Sequence, residues 1–133
     1  VSDIGSRLPI YCTSQGKVFL AHMSRTSAEA LLRAQHMTQF TPHTITDLTA
    51  LMQEIDLCRT DGYAIENGEY KIGLRSISAP VYTVEGKARY TVGVIGMFRS
   101  TRSDEFLAAV EQVCATASMI STALGYRKTE ELL

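Results

Sequence analysis

Residues 62–98 read GYAIENGEYKIGLRSISAPVYTVEGKARYTVGVIGMF, and this stretch determines the fold that we expect for the whole chain. It predicts a short strand from Gly62 to Glu66 and then a polar, mobile link from Asn67 to Lys71. Two longer strands follow, joined by a tight turn at Glu85-Gly86. The short connection indicates that the two long strands pair antiparallel.

Side chains alternate between the two faces of each long strand. One face carries Leu74, Ser76 and Ser78 together with Thr91, Gly93 and Ile95. The other face carries Arg75, Ile77 and Ala79 together with Tyr90, Val92 and Val94. The second set can pack under a helix. The first set is bare for a core face, because it carries two serines and a glycine, and we interpret the free space as a place for a small molecule.

Four helices are predicted around these strands, each with its own start and stop signals. They are Gly16–Met23 behind the caps Thr13 and Ser14, Ser24–Ala34 started by Thr26 or Ser27, a helix from Thr46-Asp47 to Asp61-Gly62, and Asp104–Leu124 stopped by Gly125. Strands in the middle with helices before and after them predict an α+β domain, with an antiparallel sheet carrying helices on one face. Three strands are few for this many helices. We therefore expect that N-terminal edge strands are lacking or that a partner completes the sheet.

Composition limits the possible functions. A chain of 133 residues fits one domain with a real core, and a net charge of -1 provides no basic face for nucleic acid. We expect no membrane contact, because no apolar run approaches the ~18 residues of a membrane span. Without a leader that suggests export, a cytoplasmic location is expected. The chain begins at Val1 without an initiator Met, which we interpret as a piece of a longer protein.

Residues with reactive side chains indicate no enzyme. The cysteines are Cys12, Cys58 and Cys114, and the histidines are His22, His36 and His43. An odd number of well-separated cysteines is typical of reduced thiols. Cys58 and Cys114 fall in phase with apolar neighbours, whereas the role of Cys12 stays open. No nucleophile elbow, metal-ligand spacing or cofactor motif is present.

The segment before the first helix allows two readings. An extended stretch, a polar cap and a glycine precede the helix, so its first N–H groups could bind an anion. An ordinary capped helix explains the same pattern, and we favour it on sequence alone.

Five segments of the chain carry a family signature. They are 7–21 (RLPIYCTSQGKVFLA), 41–46 (TPHTIT), 59–64 (RTDGYA), 73–82 (GLRSISAPVY) and 120–125 (ISTALG). In this order and spacing they resemble the IclR family of bacterial transcriptional regulators, and together they span nearly the whole chain.

The resemblance implies an effector-binding domain with a GAF/PAS-like sensor fold over residues 1–126 and a frayed tail over 127–133. It also implies a winged helix-turn-helix that binds operator DNA and precedes Val1. Members of the family form dimers or tetramers and respond to a small organic acid. We therefore expect a homodimer or homotetramer whose effector is such an acid.

The family's contacts with small molecules map onto seven positions of this chain. These are Ser14 and Gln15 at the helix start, Glu66 after the G-Y-A segment, Leu74 and Ser76 on one strand, and Gly93 and Ile95 on the next. Members that bind small oxo acids carry serines at the last two positions. Their replacement here, with the bulk of Gln15, suggests a larger or less polar effector, such as a sugar acid or an aromatic acid.

Arg89 and Glu66 have two readings each. Arg89 is in phase with Gly93 and could pair with an effector carboxylate, or it could be a solvated residue near the hairpin turn. Glu66 could contact the effector, or it could simply anchor the link 67–71 as a lid. We hypothesise that closure of this lid alters helix packing at a subunit contact. The alternative function is a ligand-free dimerisation module, in which packing fills the bare face.

Overall fold

The computed structural model describes residues 4–128. In chain order the elements are α1 (Ser14–Ala21), α2 (Arg25–Arg33), α3 (Leu48–Asp61), β1 (Ala64–Asn67), β2 (Arg75–Tyr82), β3 (Ala88–Gly96) and α4 (Asp104–Ala123). The predicted α+β class with an antiparallel three-stranded sheet is confirmed. Of the predicted frayed tail, Arg127 and Lys128 are exposed and lie outside any helix or strand, and the other five residues lie outside the described range.

Each helix begins at a side chain that accepts a hydrogen bond from an N–H group of the first turn. Thr13, Ser24, Asp47 and Ser103 are the four capping residues. The predicted start of the second helix at Thr26 or Ser27 was wrong, because the hydroxyl oxygen of Ser24 accepts from the N–H of Ser27 and the helix begins one residue after the cap.

The sheet has the order β1-β2-β3, with both neighbouring pairs antiparallel. Ser76 lies opposite Ile95, and Ser78 lies opposite Gly93, so the predicted shared face is confirmed. Glu66 pairs with Ser76 across β1 and β2, which adds a carboxylate to that face. At the hairpin, Gly86 takes φ of +79°, a value that glycine adopts without strain.

One face of the sheet is covered by α4, as expected, and the first turn of α1 also lies against one end of the other face. α4 packs on the Ile77 face, where that residue forms an apolar cluster with Val81, Phe106 and Val113. α1 packs with its first turn against the serine face, where Ser14 contacts Ser78. α2 and α3 then cover α1 and form a second apolar cluster with it. α1 therefore covers one end of the serine face, and the part of this face along β3 stays open.

By length and composition alone, α4 could cross a membrane, since its most apolar 18-residue window has a mean hydropathy of 1.3. The expectation of no membrane contact was based on uninterrupted apolar runs, which α4 does not contain, and it stays a prediction. Core helices of soluble proteins meet the same criterion, and Phe106, Val113, Ala117 and Ser121 of α4 are buried. Its other side exposes Leu107, Met119, Ile120 and Leu124.

Candidate effector-binding cleft

A cleft of about 480 Å³ lies between the first turn of α1 and the serine face of β2 and β3. It is lined by all seven residues to which the sequence assigned ligand contacts: Ser14, Gln15, Glu66, Leu74, Ser76, Gly93 and Ile95. It is also lined by residues that were not assigned, among them Arg7, Thr13, Tyr70, Lys71, Ser78 and Thr91. Ile95 is 64% exposed and therefore forms the rim of the cleft. Ligand binding by these residues is still a prediction.

The floor of the cleft is a row of buried polar groups. Ser14 Oγ lies 2.7 Å from Ser78 Oγ and 2.9 Å from Ser76 Oγ. Ser76 Oγ also lies 2.9 Å from Glu66 Oε1. Ser14, Glu66, Ser76 and Ser78 are each 5% exposed or less. Buried polar groups are costly unless they are satisfied, and these groups satisfy one another while bordering a cavity.

Glu66 anchors the loop that follows β1 and also lines the cleft, and its contact with an effector stays a prediction. Its Oε2 accepts the N–H of Glu69 at 2.7 Å and so holds the start of the β1–β2 loop, while its Oε1 accepts from Ser76 at the cleft floor. Burial raises the pKa of Glu66 above its ordinary value of 4.5, and the hydrogen bonds from Glu69 and Ser76 partly offset this effect. Glu66 accepts both of these hydrogen bonds, as expected for an ionised carboxylate, which can only accept.

Lys17 was not predicted as a site residue, but its side chain connects segments that form the cleft. Its side chain is 0% exposed, and Nζ donates to Glu69 Oε2 at 2.8 Å, to the Ile65 carbonyl at 3.1 Å and to Glu54 Oε1 at 3.3 Å. Burial lowers the pKa of Lys17, but the two carboxylates more than offset this, so that it lies above the ordinary value of 10.5. Lys17 therefore ties α1 to α3, β1 and the β1–β2 loop as a cation.

The predicted mobile link 67–71 is a tethered loop in the structure. Glu69 is only 4% exposed because it pairs with Lys17. Thr41 donates its hydroxyl proton to the Gly68 carbonyl at 2.7 Å, and Thr44 donates to the Glu69 carbonyl at 2.6 Å. Asn67 and Lys71 at the two ends of the link are exposed, whereas Gly68 and Glu69 in its middle are buried. Any lid movement must begin by breaking the hydrogen bonds of this buried part.

The proposed role of Arg89 as a carboxylate partner is not supported, because Arg89 is exposed and does not line the cleft. It has the predicted phase on β3 but lies at the hairpin end, two residues before Thr91, which does line the cleft. Cations at the cleft come instead from Arg7 and Lys71. Neither of them forms an ion pair with an acidic side chain in the range 4–128.

Gly93 is required by backbone packing as well as by cleft volume. A Cβ atom at this position would lie 2.4 Å from the Ile77 carbonyl oxygen and 2.6 Å from Ser78 Oγ. The Ser78 hydroxyl therefore occupies the space that a side chain at 93 would need. A serine at 93 does not fit beside Ser78 in this chain unless the β2–β3 pairing shifts.

We expect Gly93→Ser to reduce the free energy of unfolding by about 1–3 kcal/mol, the usual cost of overpacking. Ile95→Ser is the matched control, since it places the same side chain on the same strand and face at an exposed rim position, and we expect a change within about 0.5 kcal/mol. Urea unfolding of both variants measures the difference. Equal stability of Gly93→Ser and wild type would contradict the close approach at Gly93.

The thiols and histidines of the described chain form no reactive centre. Cys12 and Cys58 are buried, and Cys114 is half-buried against the α4 cluster, so core packing of the last two is confirmed. Burial raises the pKa of Cys12 to about 12, which resolves its role in favour of an inert core thiol. His22 bonds to the Val18 carbonyl and, at 2.7 Å, to the Tyr82 hydroxyl. No group of three or more His, Cys, Asp or Glu residues within 4–128 is arranged to hold a metal ion.

The family assignment comes from sequence comparison. The model of the family described as "Bacterial transcriptional regulator IclR C-terminal" matches residues 1–122. The chain belongs to the IclR family. Its members are transcriptional regulators and not enzymes, and this chain corresponds to their C-terminal domain.

Three relatives place this IclR domain among known proteins. It is 30% identical over 126 residues to the HTH-type transcriptional repressor AllR of Escherichia coli K12, covering 95% of this chain and 46% of AllR. The crystal structure of the C-terminal domain of E. coli KdgR matches with a TM-score of 0.81 and 33% identity, over 92% of this chain and 75% of that one. The Agrobacterium tumefaciens repressor BlcR matches with a TM-score of 0.82 and 31% identity, over 96% and 51% respectively. The chain thus spans about half the length of AllR and of BlcR.

Proposed function

We propose that this domain senses a small organic acid in the cleft between α1 and the sheet and thereby modulates DNA binding. In this proposal, a winged helix-turn-helix N-terminal to Val1 binds the operator DNA. The full protein is a cytoplasmic homodimer or homotetramer. The observation that carries the proposal is the cleft itself. Its volume of about 480 Å³ lies within the range of small-molecule sites, roughly 300–1,000 Å³, and a buried carboxylate and three hydroxyls line its floor.

The polar and charged groups around the cleft support an acid as the effector. Arg7 and Lys71 line it, and the first turn of α1, with its favourable dipole for anions, borders it through Thr13, Ser14 and Gln15. A cleft of this volume has room for more than a two-carbon acid. This favours the larger effectors considered from the sequence, a sugar acid or an aromatic acid.

A ligand-free dimerisation module is the alternative. Under that function the serine face would be filled by apolar packing, whereas the floor is polar and borders open space. The exposed side chains Leu107, Met119, Ile120 and Leu124 of α4 fit a subunit contact. Because a sensor that oligomerises also needs such a contact, this surface is compatible with both functions, and the polar cleft favours the sensor.

Thermal unfolding with candidate acids tests the proposal. We expect one of glyoxylate, gluconate and benzoate to stabilise the chain, by about 2.7 kcal/mol when its concentration is 100 times Kd, which raises Tm by about 5–20 °C. Glu66→Ala and Ser76→Ala should abolish the shift because both remove groups from the cleft floor. Arg89→Ala is the matched control outside the cleft and should retain it. Ligand shifts that persist in both floor variants would contradict the site.

A further inference from the structure

Glu66 is a buried carboxylate that lines the cleft without a cation beside it. It is 3% exposed and borders the cavity. Its two side-chain hydrogen bonds come from neutral groups, the Ser76 hydroxyl at 2.9 Å and the Glu69 N–H at 2.7 Å. Within 4–128 it forms no ion pair with a lysine, arginine or histidine side chain. Because buried charges are normally paired, the cleft floor carries a charge that this part of the chain does not compensate.

The buried ammonium of Lys17 does not neutralise Glu66, because two other carboxylates already occupy it. Nζ lies 2.8 Å from Glu69 and 3.3 Å from Glu54. Together with Glu66 these groups are three carboxylates around one ammonium. Burial raises the pKa of Glu66, and the Glu69 carboxylate raises it further, as expected where negative charge is in excess. The inner end of the cleft therefore attracts a positively charged group.

The cations that line the cleft lie at a different depth. Arg7 and Lys71 border the cavity, but both are exposed, so they lie at its mouth while Glu66 lies at its floor. Neither cation forms an ion pair with an acidic side chain in the described range. The cleft thus has an uncompensated negative charge at its buried end and uncompensated positive charges at its exposed end.

Resting on the proposed function, we infer that the effector is a zwitterion: an organic acid with a protonated amine, whose ammonium binds Glu66 at the floor and whose carboxylate binds Arg7 and Lys71 at the mouth. Each charge of such a molecule meets an opposite charge. An acid without an amine covers Glu66 and leaves its buried charge without a partner, which is costly. A neutral hydroxyl donates a hydrogen bond but brings no charge, and bonds between ionised partners are about twice as strong. A sugar acid or an aromatic acid meets this requirement when it carries an amino group.

Calorimetric titration of the chain with matched acids measures the contribution of the amine. The pairs are ε-aminocaproate against caproate, and para-(aminomethyl)benzoate against para-methylbenzoate, which share a flexible and an aromatic frame respectively. In at least one pair we expect the amine to bind about tenfold or more tightly. In the aromatic series, para-(hydroxymethyl)benzoate replaces the ammonium by a neutral donor of similar size. If the aromatic amine is the preferred one, this analogue should bind several-fold more weakly than the amine.

Two substitutions separate the ends of the cleft. Glu66→Gln keeps the shape of the side chain and an oxygen for the Glu69 N–H, but it removes the negative charge. The preference for the amine should then fall to within about twofold of equal binding. Lys71→Ala removes a cation at the mouth. It should weaken both members of a pair by the same factor, about threefold or more, and leave the preference for the amine unchanged.

The outcomes separate this inference from the proposed function. The inference is overturned, while an acid-binding sensor remains, if neither amine binds more tightly than its partner or if the preference persists in Glu66→Gln. Binding of gluconate or benzoate without binding of either amine has the same meaning. Absence of binding by all of these acids, including glyoxylate, overturns both. The Tm of Glu66→Gln without ligand verifies that it is folded, and the matched pairs in the wild type supply the test if it is not.

Discussion

Lys17→Met is expected to reduce the free energy of unfolding by about 3–5 kcal/mol, the cost of leaving a buried charge without its partner. The substitution keeps the length of the apolar side chain but removes the cation from Glu69, whose carboxylate is nearly fully buried and 2.8 Å from Nζ. Glu69 Oε2 would keep only the N–H of Asn67 at 3.0 Å, and Oε1 has no hydrogen-bond partner among the described residues, so the buried carboxylate would lose its only cation. Urea unfolding followed by circular dichroism measures the change.

Two further variants isolate the cause. Lys87→Met removes an exposed lysine whose contact with Glu85 is 3.8 Å, and we expect a change below about 0.5 kcal/mol. Lys17→Met combined with Glu69→Leu removes both members of the buried pair and should recover part of the lost stability, because apolar replacement of a buried pair is often neutral. A double variant less stable than Lys17→Met alone would show that the ion pair is not the source of the loss.

The effect of Lys17→Met on the free energy of unfolding depends on pH. Folding raises the pKa of Lys17 above 10.5, so its contribution to stability is fully present below that pH and is lost as the pH rises through the folded-state value. The stability difference between wild type and Lys17→Met should therefore be constant through neutral pH and narrow only in strongly alkaline solution.

Gly16→Ala is expected to destabilise the domain by about 3 kcal/mol or more, although the same change in an ordinary helix interior is stabilising. A Cβ at Gly16 would lie 2.1 Å from the Ile10 carbonyl oxygen and 2.7 Å from the Ile10 carbonyl carbon. Both are backbone atoms and cannot rotate away. The incoming segment 7–10 lies against α1 at this point, where the Thr13 hydroxyl donates to the Pro9 carbonyl at 2.7 Å. Displacing it also moves Arg7 and Leu8, which line the cleft.

Gly96→Ala is the matched control for Gly16→Ala. Its added Cβ would meet only the ring of Phe98, at 3.3 Å, and a side chain can adjust where a backbone cannot. We expect a change within about 1 kcal/mol, measured by urea unfolding alongside Gly16→Ala. If Gly16→Ala is as stable as wild type, the close contact with Ile10 does not constrain the fold.

Alternation along the strands was sufficient to predict which residues share the cleft face. Ser76 and Gly93 were placed together because strand side chains repeat every two residues, and the pairing of Ser78 with Gly93 agrees with that period. The same period did not locate Arg89 correctly. It determines the face of the strand on which a side chain lies, but not the distance of that side chain from the cleft along the strand. Ser78 was placed on the correct face but not recognised as a floor residue, because its contact with Ser14 spans 64 positions of the chain.

The buried ion pair could not be predicted from local pattern. A lysine in a short helix and a glutamate in the polar run 67–71 are each typical of solvent-exposed residues. They are buried only because they meet, and their separation of 52 positions hides this from any local window. The one available signal was that Lys17 precedes the apolar run Val18–Ala21, which predicts a helix that is buried on several sides.

The three partners of Lys17 determine how the cleft can open and close. They belong to α3, to β1 and to the β1–β2 loop, while Lys17 itself belongs to α1. A single buried ammonium thus joins four segments, three of which, α1, α3 and β1, also share an apolar cluster. Partial unfolding of any one of them exposes an unpaired charge, so the walls of the cleft form one cooperative unit with a shared free energy of opening.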